Sequence, residues 1–178
     1  MKKMILTSVI GLIVVLFAIG GYNASKLQEI KIQKTVTINA DIQTVYDNVA
    51  YFKNFTKWSP FYEADPSQKT RIAGTDGQVG AQFHWEGNQG KDLGYQEIVQ
   101  LKALKYLKME CNIQKPFQAK PIFEYTFANN GNSVAVTQDF TLKSGFVDAF
   151  FMGIFGAKKD MEKMNGRGME LLKIASKK

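Results

Sequence analysis

The hydrophobic pattern along the chain has three regimes. Residues 4–22 form a 19-residue run without a charged side chain, and no polar face emerges in it at helical spacing. From Ile30 the pattern changes to alternation. Ile30, Ile32, Val36 and Ile38 share one side of an extended segment. Lys34 interrupts that side, which predicts a frayed or bulged early strand. Asn39-Ala40-Asp41 then supplies helix-capping chemistry, with Val45, Val49 and Phe52 recurring behind it. A helix over about 41–50 and a short second one over about 52–58 are expected. Trp58-Ser59-Pro60 is expected to end that helical stretch, because the residue before a proline is pushed out of the α region.

After the loop at 63–68, turn signals separate short alternating segments. Strands are expected at about 69–75, 80–87, 94–101, 105–114, 120–128 and 133–143. Phe83 and Trp85 alternate with Gln82, His84 and Glu86. Leu107, Met109, Cys111 and Ile113 alternate with Lys108, Glu110 and Asn112. Phe123, Tyr125 and Phe127 stand opposite Glu124 and Thr126, and Asn129-Asn130-Gly131-Asn132 reads as a hairpin turn. Strands with one apolar and one polar side describe an antiparallel sheet with one covered face.

The cover comes from the end of the chain. Val147, Phe150, Ile154, Ala157, Met161, Met164, Gly168, Leu171 and Ala175 recur by steps of three and four, one stripe of a long helix. Gly153 and Gly156 are places for a kink. Gly166 and Gly168 each cost about 1 kcal/mol of helix stability relative to alanine, which close packing or room for a ligand would explain. Residues 146–155 are apolar nearly all round. Burial against the sheet and a lid that touches a bilayer both fit them.

As a helix, residues 4–22 would reach roughly 28 Å, close to the hydrocarbon thickness of a bilayer. Three readings compete for the run. It is a membrane anchor, a signal peptide cleaved near Ala18-Ile19-Gly20, although such peptides have shorter apolar regions of about 7–15 residues, or a buried core helix, which the missing polar face disfavours. The expected organisation is an anchor over 1–22, a polar linker over 23–29 and one domain over 30–178. Lys2 and Lys3 favour a cytoplasmic N-terminus and a domain on the extracytoplasmic side of the cell membrane. Cleavage would instead make the domain secreted or periplasmic.

Charge and composition narrow the chemistry. Of 178 residues, 23 are Lys or Arg and 16 are Asp or Glu, a net charge of +7. The excess is spread along the chain and no nucleic-acid motif accompanies it, so no nucleic-acid partner is expected. A single cysteine, Cys111, rules out an internal disulfide and paired-cysteine zinc sites. The chain carries no zinc-protease, nucleophile-elbow, phosphate-loop or dinucleotide signature. No catalytic residue, metal or cofactor is therefore assigned. His84 falls on a polar strand side, Cys111 on an apolar one. Glu63, Asp65 and Glu86 are loop or surface carboxylates unless the fold pairs them.

A curved antiparallel sheet gripping a long terminal helix, with two short helices after the first strand, is the helix-grip arrangement, an α+β class. The sequence resembles the polyketide cyclase/dehydrase-like family of the START-related (SRPBCC) superfamily over about residues 30–175. The resemblance rests on Ile38-Asn39-Ala40, Lys57-Trp58-Ser59-Pro60 with Asp65-Pro66, Val79-Gly80-Ala81, Trp85-Glu86-Gly87-Asn88, Lys115-Pro116-Phe117 and the glycine-containing terminal helix. Phe55 and Gln138 stand where that family more often carries tryptophan. The resemblance implies a cavity between sheet and helix for a hydrophobic small molecule or lipid, and many members also carry an N-terminal membrane segment. Its candidate lining is Phe83, Trp85, Met109, Cys111, Phe123, Tyr125, Phe127, Gln138, Met161 and Met164. Gln138 needs a partner on its apolar strand side: Tyr125, water or a ligand. The expectation is a membrane-tethered binding domain. Cyclase- or dehydrase-type chemistry in the same cavity, with Glu86 or His84 moving protons, is the alternative.

Overall fold

The computed structural model describes residues 20–22 and 24–177. The anchor expected over 4–22 lies outside the described residues apart from Gly20-Gly21-Tyr22. Among the described residues no helix is long and apolar enough to cross a membrane.

The seven expected strands form: β1 (Glu29–Ile38), β2 (Lys69–Ala73), β3 (Gln82–Gly87), β4 (Asp92–Lys102), β5 (Tyr106–Lys115), β6 (Ile122–Asn129) and β7 (Val134–Lys143). They make one antiparallel sheet in the order β1-β7-β6-β5-β4-β3-β2. The first strand therefore lies beside the last. Its ladder with β7 runs from Glu29↔Lys143 to Ile38↔Val134 without a bulge, so Lys34 does not disrupt the strand as expected. Lys34 instead keeps its place on the inner face, opposite the buried Gln138. The irregularities fall between β4 and β5, at Leu93/Gly94 and Ile98/Gln100.

Helix α1 (Ile42–Ala50) begins where Asp41 accepts the Thr44 N–H at 2.8 Å. Val45 and Val49 turn inward at helical spacing. A 3₁₀ turn, Phe52–Lys57, follows, and its first two N–H groups donate to the Asp76 carboxylate at 2.7 and 3.1 Å. The helical stretch ends before Pro60 as expected, with Ser59 extended. Pro60 then opens a further short helix not expected from the sequence, α2 (Pro60–Ala64), with Ser59 capping Tyr62 N–H. Proline lacks only an N–H that the first turn leaves unpaired anyway, so the same residue that stops one helix starts another.

The C-terminal helical region is two helices, α3 (Phe146–Ile154) and α4 (Ala157–Ala175), separated at Gly156, whose φ of 68° is left-handed. Only α4 grips the sheet. Its buried residues are Asn165, Gly168, Met169 and Leu172. The face thus centres about one position away from the expected stripe, with Met161, Met164, Leu171 and Ala175 only half-buried. Gly168 allows close approach: a Cβ there would meet Pro60 of α2 at 3.3 Å. Gly166 faces open space.

Residues 24–27, expected as a polar linker, are helical, and Ala24 is fully buried. Ser144 ties this segment to β7, donating from its N–H to Gln28 O at 2.9 Å and from its hydroxyl to Leu27 O at 3.3 Å. Residues 24–27 are therefore packed on the sheet's end instead of extended as a linker.

Candidate functional site

The inner face of the sheet carries two apolar clusters. One gathers α1, Phe52, Trp58, Phe83, Ile98, Leu107, Met109, Tyr125, Phe127, Met169 and Leu172. The other is Ile30, Ile32, Phe140 and Leu142, with Leu27, Phe123, Met152 and Met161 against it. Strand pairing puts Lys34, Gln138, Tyr125 and Leu107 in one row across β1, β7, β6 and β5. The next row is Ile32, Phe140, Phe123 and Met109. Polar groups thus sit along the boundary between the clusters.

The sequence-predicted lining divides accordingly. Phe83, Met109, Cys111, Tyr125, Phe127 and Gln138 are buried. Phe83 packs edge-on to Phe55 at 5.0 Å, and Phe127 edge-on to Tyr46 at 5.3 Å. Trp85 and Phe123 are half-buried. The Trp85 indole lies over Gly94, where a Cβ would meet its ring at 2.5 Å, and its N–H donates to Asp92 at 3.1 Å. Phe123 meets Phe140 edge-on at 5.1 Å. Met161 packs in the second cluster. Met164 stands apart from the others, on a cleft of about 490 Å³ between α2 and α4. That cleft is bounded by Glu63, Arg167 and Glu170, where Arg167 donates to Glu63 from two nitrogens, at 2.8 and 2.5 Å.

Gln138 finds the first of its expected partners: its amide donates to the Tyr125 hydroxyl at 2.8 Å. Its other polar atom, Oε1, is buried without a partner. Because a phenol O–H either donates or accepts, rotating the amide would exchange which Gln138 atom is satisfied but would still leave one free. Burial is the largest cause holding the Tyr125 pKa above the ordinary phenol value, so this hydroxyl stays protonated.

Two further polar residues on this interior were not singled out from the sequence. Asn165 donates from Nδ2 to Met161 O at 2.8 Å, and its Oδ1 is buried and unpaired. The atom facing the Met161 carbonyl must be the N–H side, so the free atom is fixed as an acceptor. Gln96 lies on the row of Cys111 and Phe83, with Oε1 3.8 Å from the Cys111 thiol and Nε2 unpaired. Burial pushes the Cys111 thiol up to about 12, so it acts as a neutral small apolar group. Strand parity alone marks Gln96, which shares a side with Gly94 and Ile98. Asn165 lies one turn after Met161.

Helical and strand rises put Asn165 near the level of Gln138. Met161 packs against the cluster of Ile30, Ile32, Phe140 and Leu142, and the far end of α4 reaches β1's end, where Lys177 borders Asn39-Ala40-Asp41. Helix α4 therefore runs along β1 in the same direction. Four helical residues advance about 6 Å and two strand residues about 6.6 Å, which brings Asn165 alongside Lys34, the register partner of Gln138.

The residues considered for acid–base chemistry lie elsewhere. His84 and Glu86 are on the outer face of the sheet, where His84 contacts Gln82 at 3.0 Å and stacks at a tilt on Tyr95. Burial first, then Arg71, lowers the His84 pKa. Asp65 accepts from Ser67 and from Asn88 N–H, and Glu63 is held by Arg167. Among the described residues no group of three or more His, Cys, Asp or Glu side chains is placed to hold a metal.

No protein-family model matches the chain, and no curated protein matches it. Solved structures do. Protein CV1439 from Chromobacterium violaceum is 11% identical, with a TM-score of 0.59 over 80% of this chain and 94% of that one. TTHA0849 from Thermus thermophilus is 13% identical, with a TM-score of 0.59 over 82% and 96%. Ara h 8.0201 is 11% identical, with a TM-score of 0.53 over 81% and 98%. At these identities the likeness carries the fold, a helix-grip-like α+β domain, across nearly the whole of each neighbour.

Proposed function

We propose that the chain is a membrane-tethered binding domain for an amphiphilic small molecule or lipid, held between the inner face of the sheet and α4. One observation carries this reading: Gln138 on the sheet and Asn165 on α4 each bury a polar atom that no described residue pairs. Leaving such an atom unpaired costs about 1–3 kcal/mol, so a partner is favoured. The surroundings are aromatic and aliphatic, which suits an apolar body. The fixed acceptor on Asn165 calls for a donor, and Lys34 lies at the same level as a cationic donor in return. A hydroxyl-bearing lipid or alcohol-like amphiphile satisfies both. Tethering is inferred from residues 4–22 and from the direct junction of that run with the domain.

The test is titration of the full chain with a hydroxylated fluorescent fatty alcohol. Saturable binding that weakens about tenfold or more in Gln138→Leu and Asn165→Leu is expected, the loss of one to two hydrogen bonds at roughly 1 kcal/mol each. No saturable binding by the wild-type chain would overturn the proposal.

A further inference from the structure

The C-terminal helical region contains an inversion of normal surface chemistry. In α3, Ala149 alone is buried. Phe146, Val147, Phe151 and Ile154, with Phe155 just past the helix end, are each between 50% and 75% exposed. Tyr22, the last residue of the uncharged run, is also exposed. Scattered apolar side chains on a surface need no explanation, but a contiguous group of large ones marks a contact.

The chain itself indicates what makes that contact. The uncharged run ends on α3: a Cβ at Gly20 would meet the Phe150 ring at 2.5 Å, and one at Gly21 the Phe146 ring at 3.7 Å. Leu27 comes up against Gly153, where a Cβ would stand 3.2 Å away. Residues 20–22, residues 24–27 and α3 therefore form one ledge, with Ser144 fastening it to the sheet. No slack remains between the run and the ledge, so whatever receives residues 4–19 is met by α3 as well. Basic side chains lie at both ends of the ledge, beside one exposed acid on α3, Asp148. Lys26 lies over the Tyr22 ring at 4.4 Å, and Lys158 and Lys159 follow closely on Phe155. An interfacial helix has this makeup, with an apolar face toward acyl chains and basic groups at headgroup level.

We propose that α3 with Phe155 is a bilayer-docking helix, which inserts its apolar side chains into an anionic lipid surface beside the point where residues 4–22 enter it. This rests on the tether reading of that run. Docking there fixes the orientation of the domain: α3 adjoins the second apolar cluster through Met152, so the end of the interior nearest Ile30 and Met161 faces the membrane.

The test uses the full chain in vesicles of phosphatidylcholine with phosphatidylglycerol. Phe151→Cys and Phe155→Cys carry an environment-sensitive dye, and Thr126→Cys, on the exposed outer face of the sheet, serves as control. Cys111 is buried, and the unsubstituted chain sets its background. Flotation of the wild-type chain with vesicles is read first. The expected result is flotation, with dyes at 151 and 155 losing about half their emission to nitroxides on lipids at roughly 5–10 Å depth, and the dye at 126 unchanged. Dyes at 151 and 155 that answer only to a water-soluble quencher overturn the docking proposal while leaving the tether intact. Dyes shielded from both quenchers overturn it in favour of coverage by protein, either residues 4–19 folded back or a second copy. A chain that does not float overturns the tether and the docking together.

Discussion

Helices α3 and α4 are neighbours in sequence, parted at a left-handed glycine, and they break the usual segregation of polar and apolar groups in opposite directions. Helix α4 is amphipathic, yet at the centre of its buried face it carries Asn165 with an unpaired oxygen. Helix α3 is apolar, yet it leaves its large side chains in solvent. Each inversion is costly for a protein alone. On the two proposals above, a ligand head group would relieve the first and a lipid surface the second. The pair separates what holds the fold together from what the fold is for.

Breaking the comparison at its strongest point means mutating the packing of α4. Leu172→Ala is expected to destabilise the domain by about 2–5 kcal/mol, the range for deleting a buried leucine side chain, measured by urea unfolding. Phe155→Ser should shift the same curve by less than about 0.5 kcal/mol while reducing the quenching of a dye at 151 by lipid-borne nitroxides. Equal losses of stability in the two variants would mean that α3 is packed in the fold as α4 is.

Thiol reactivity gives the next contrast. With the Cys111 thiol pushed up to about 12 from a reference of 9.0, the thiolate fraction at pH 8 falls roughly a thousandfold. Iodoacetamide should leave Cys111 untouched over hours in the folded chain, whereas a cysteine introduced by Phe155→Cys in detergent-free buffer should react like an exposed thiol. Rapid alkylation at 111 would mean that the interior opens readily.

Polar substitution on α4 sharpens the same point at smaller amplitude. Asn165→Leu removes both a hydrogen bond to Met161 and a buried orphan, so without ligand its stability should stay within about 1 kcal/mol of the wild type. A loss as large as that of Leu172→Ala would make Asn165 a structural residue and remove it from the binding site.

The smallest effect is acid sensitivity at the α2 end of α4. The Arg167 hydrogen bond lowers the Glu63 pKa, and hydrogen bonds from Ser67 and Asn88 lower that of Asp65. Groups depressed in the folded state add stability above their unfolded pKa values, here 4.5 and 3.8. That stability is lost as pH falls through the folded values. Glu63→Gln with Asp65→Asn should flatten the acid limb of a stability–pH profile below about pH 4.5. An unchanged limb would assign acid sensitivity to other carboxylates.

Much of the fold is legible in the sequence because strand alternation is a two-residue pattern that a covered sheet enforces at every step. All seven strands and the helix-grip arrangement follow from it. The differences lie where apolar identity alone places a face. The apolar stripe draws the buried side of α4 through Met164 and Leu171, because Asn165 and Ser176 are polar. Ser176 is accommodated by Asn48, whose amide donates to it at 3.1 Å. Pro60 reads as a stop because its restriction of the preceding residue is the same at the start of a helix. Helix α3 offers no polar face, so no periodicity says which side it buries. The polar boundary inside the sheet is half-visible: Gln138 and Lys34 break strand alternation, while Asn165 and Gln96 come to light only once facing elements are brought together.

The central claim is that the interior behind α4 is completed by an amphiphile. Native mass spectrometry of the full chain, released from the membranes of the cells that make it, tests this most directly. The predicted result is one bound molecule per chain, with a long apolar body and a hydroxyl or comparable donor, retained by the wild type and lost from Gln138→Leu with Asn165→Leu. A chain that emerges empty, and takes up no amphiphile when extracted lipids are added back, would contradict it.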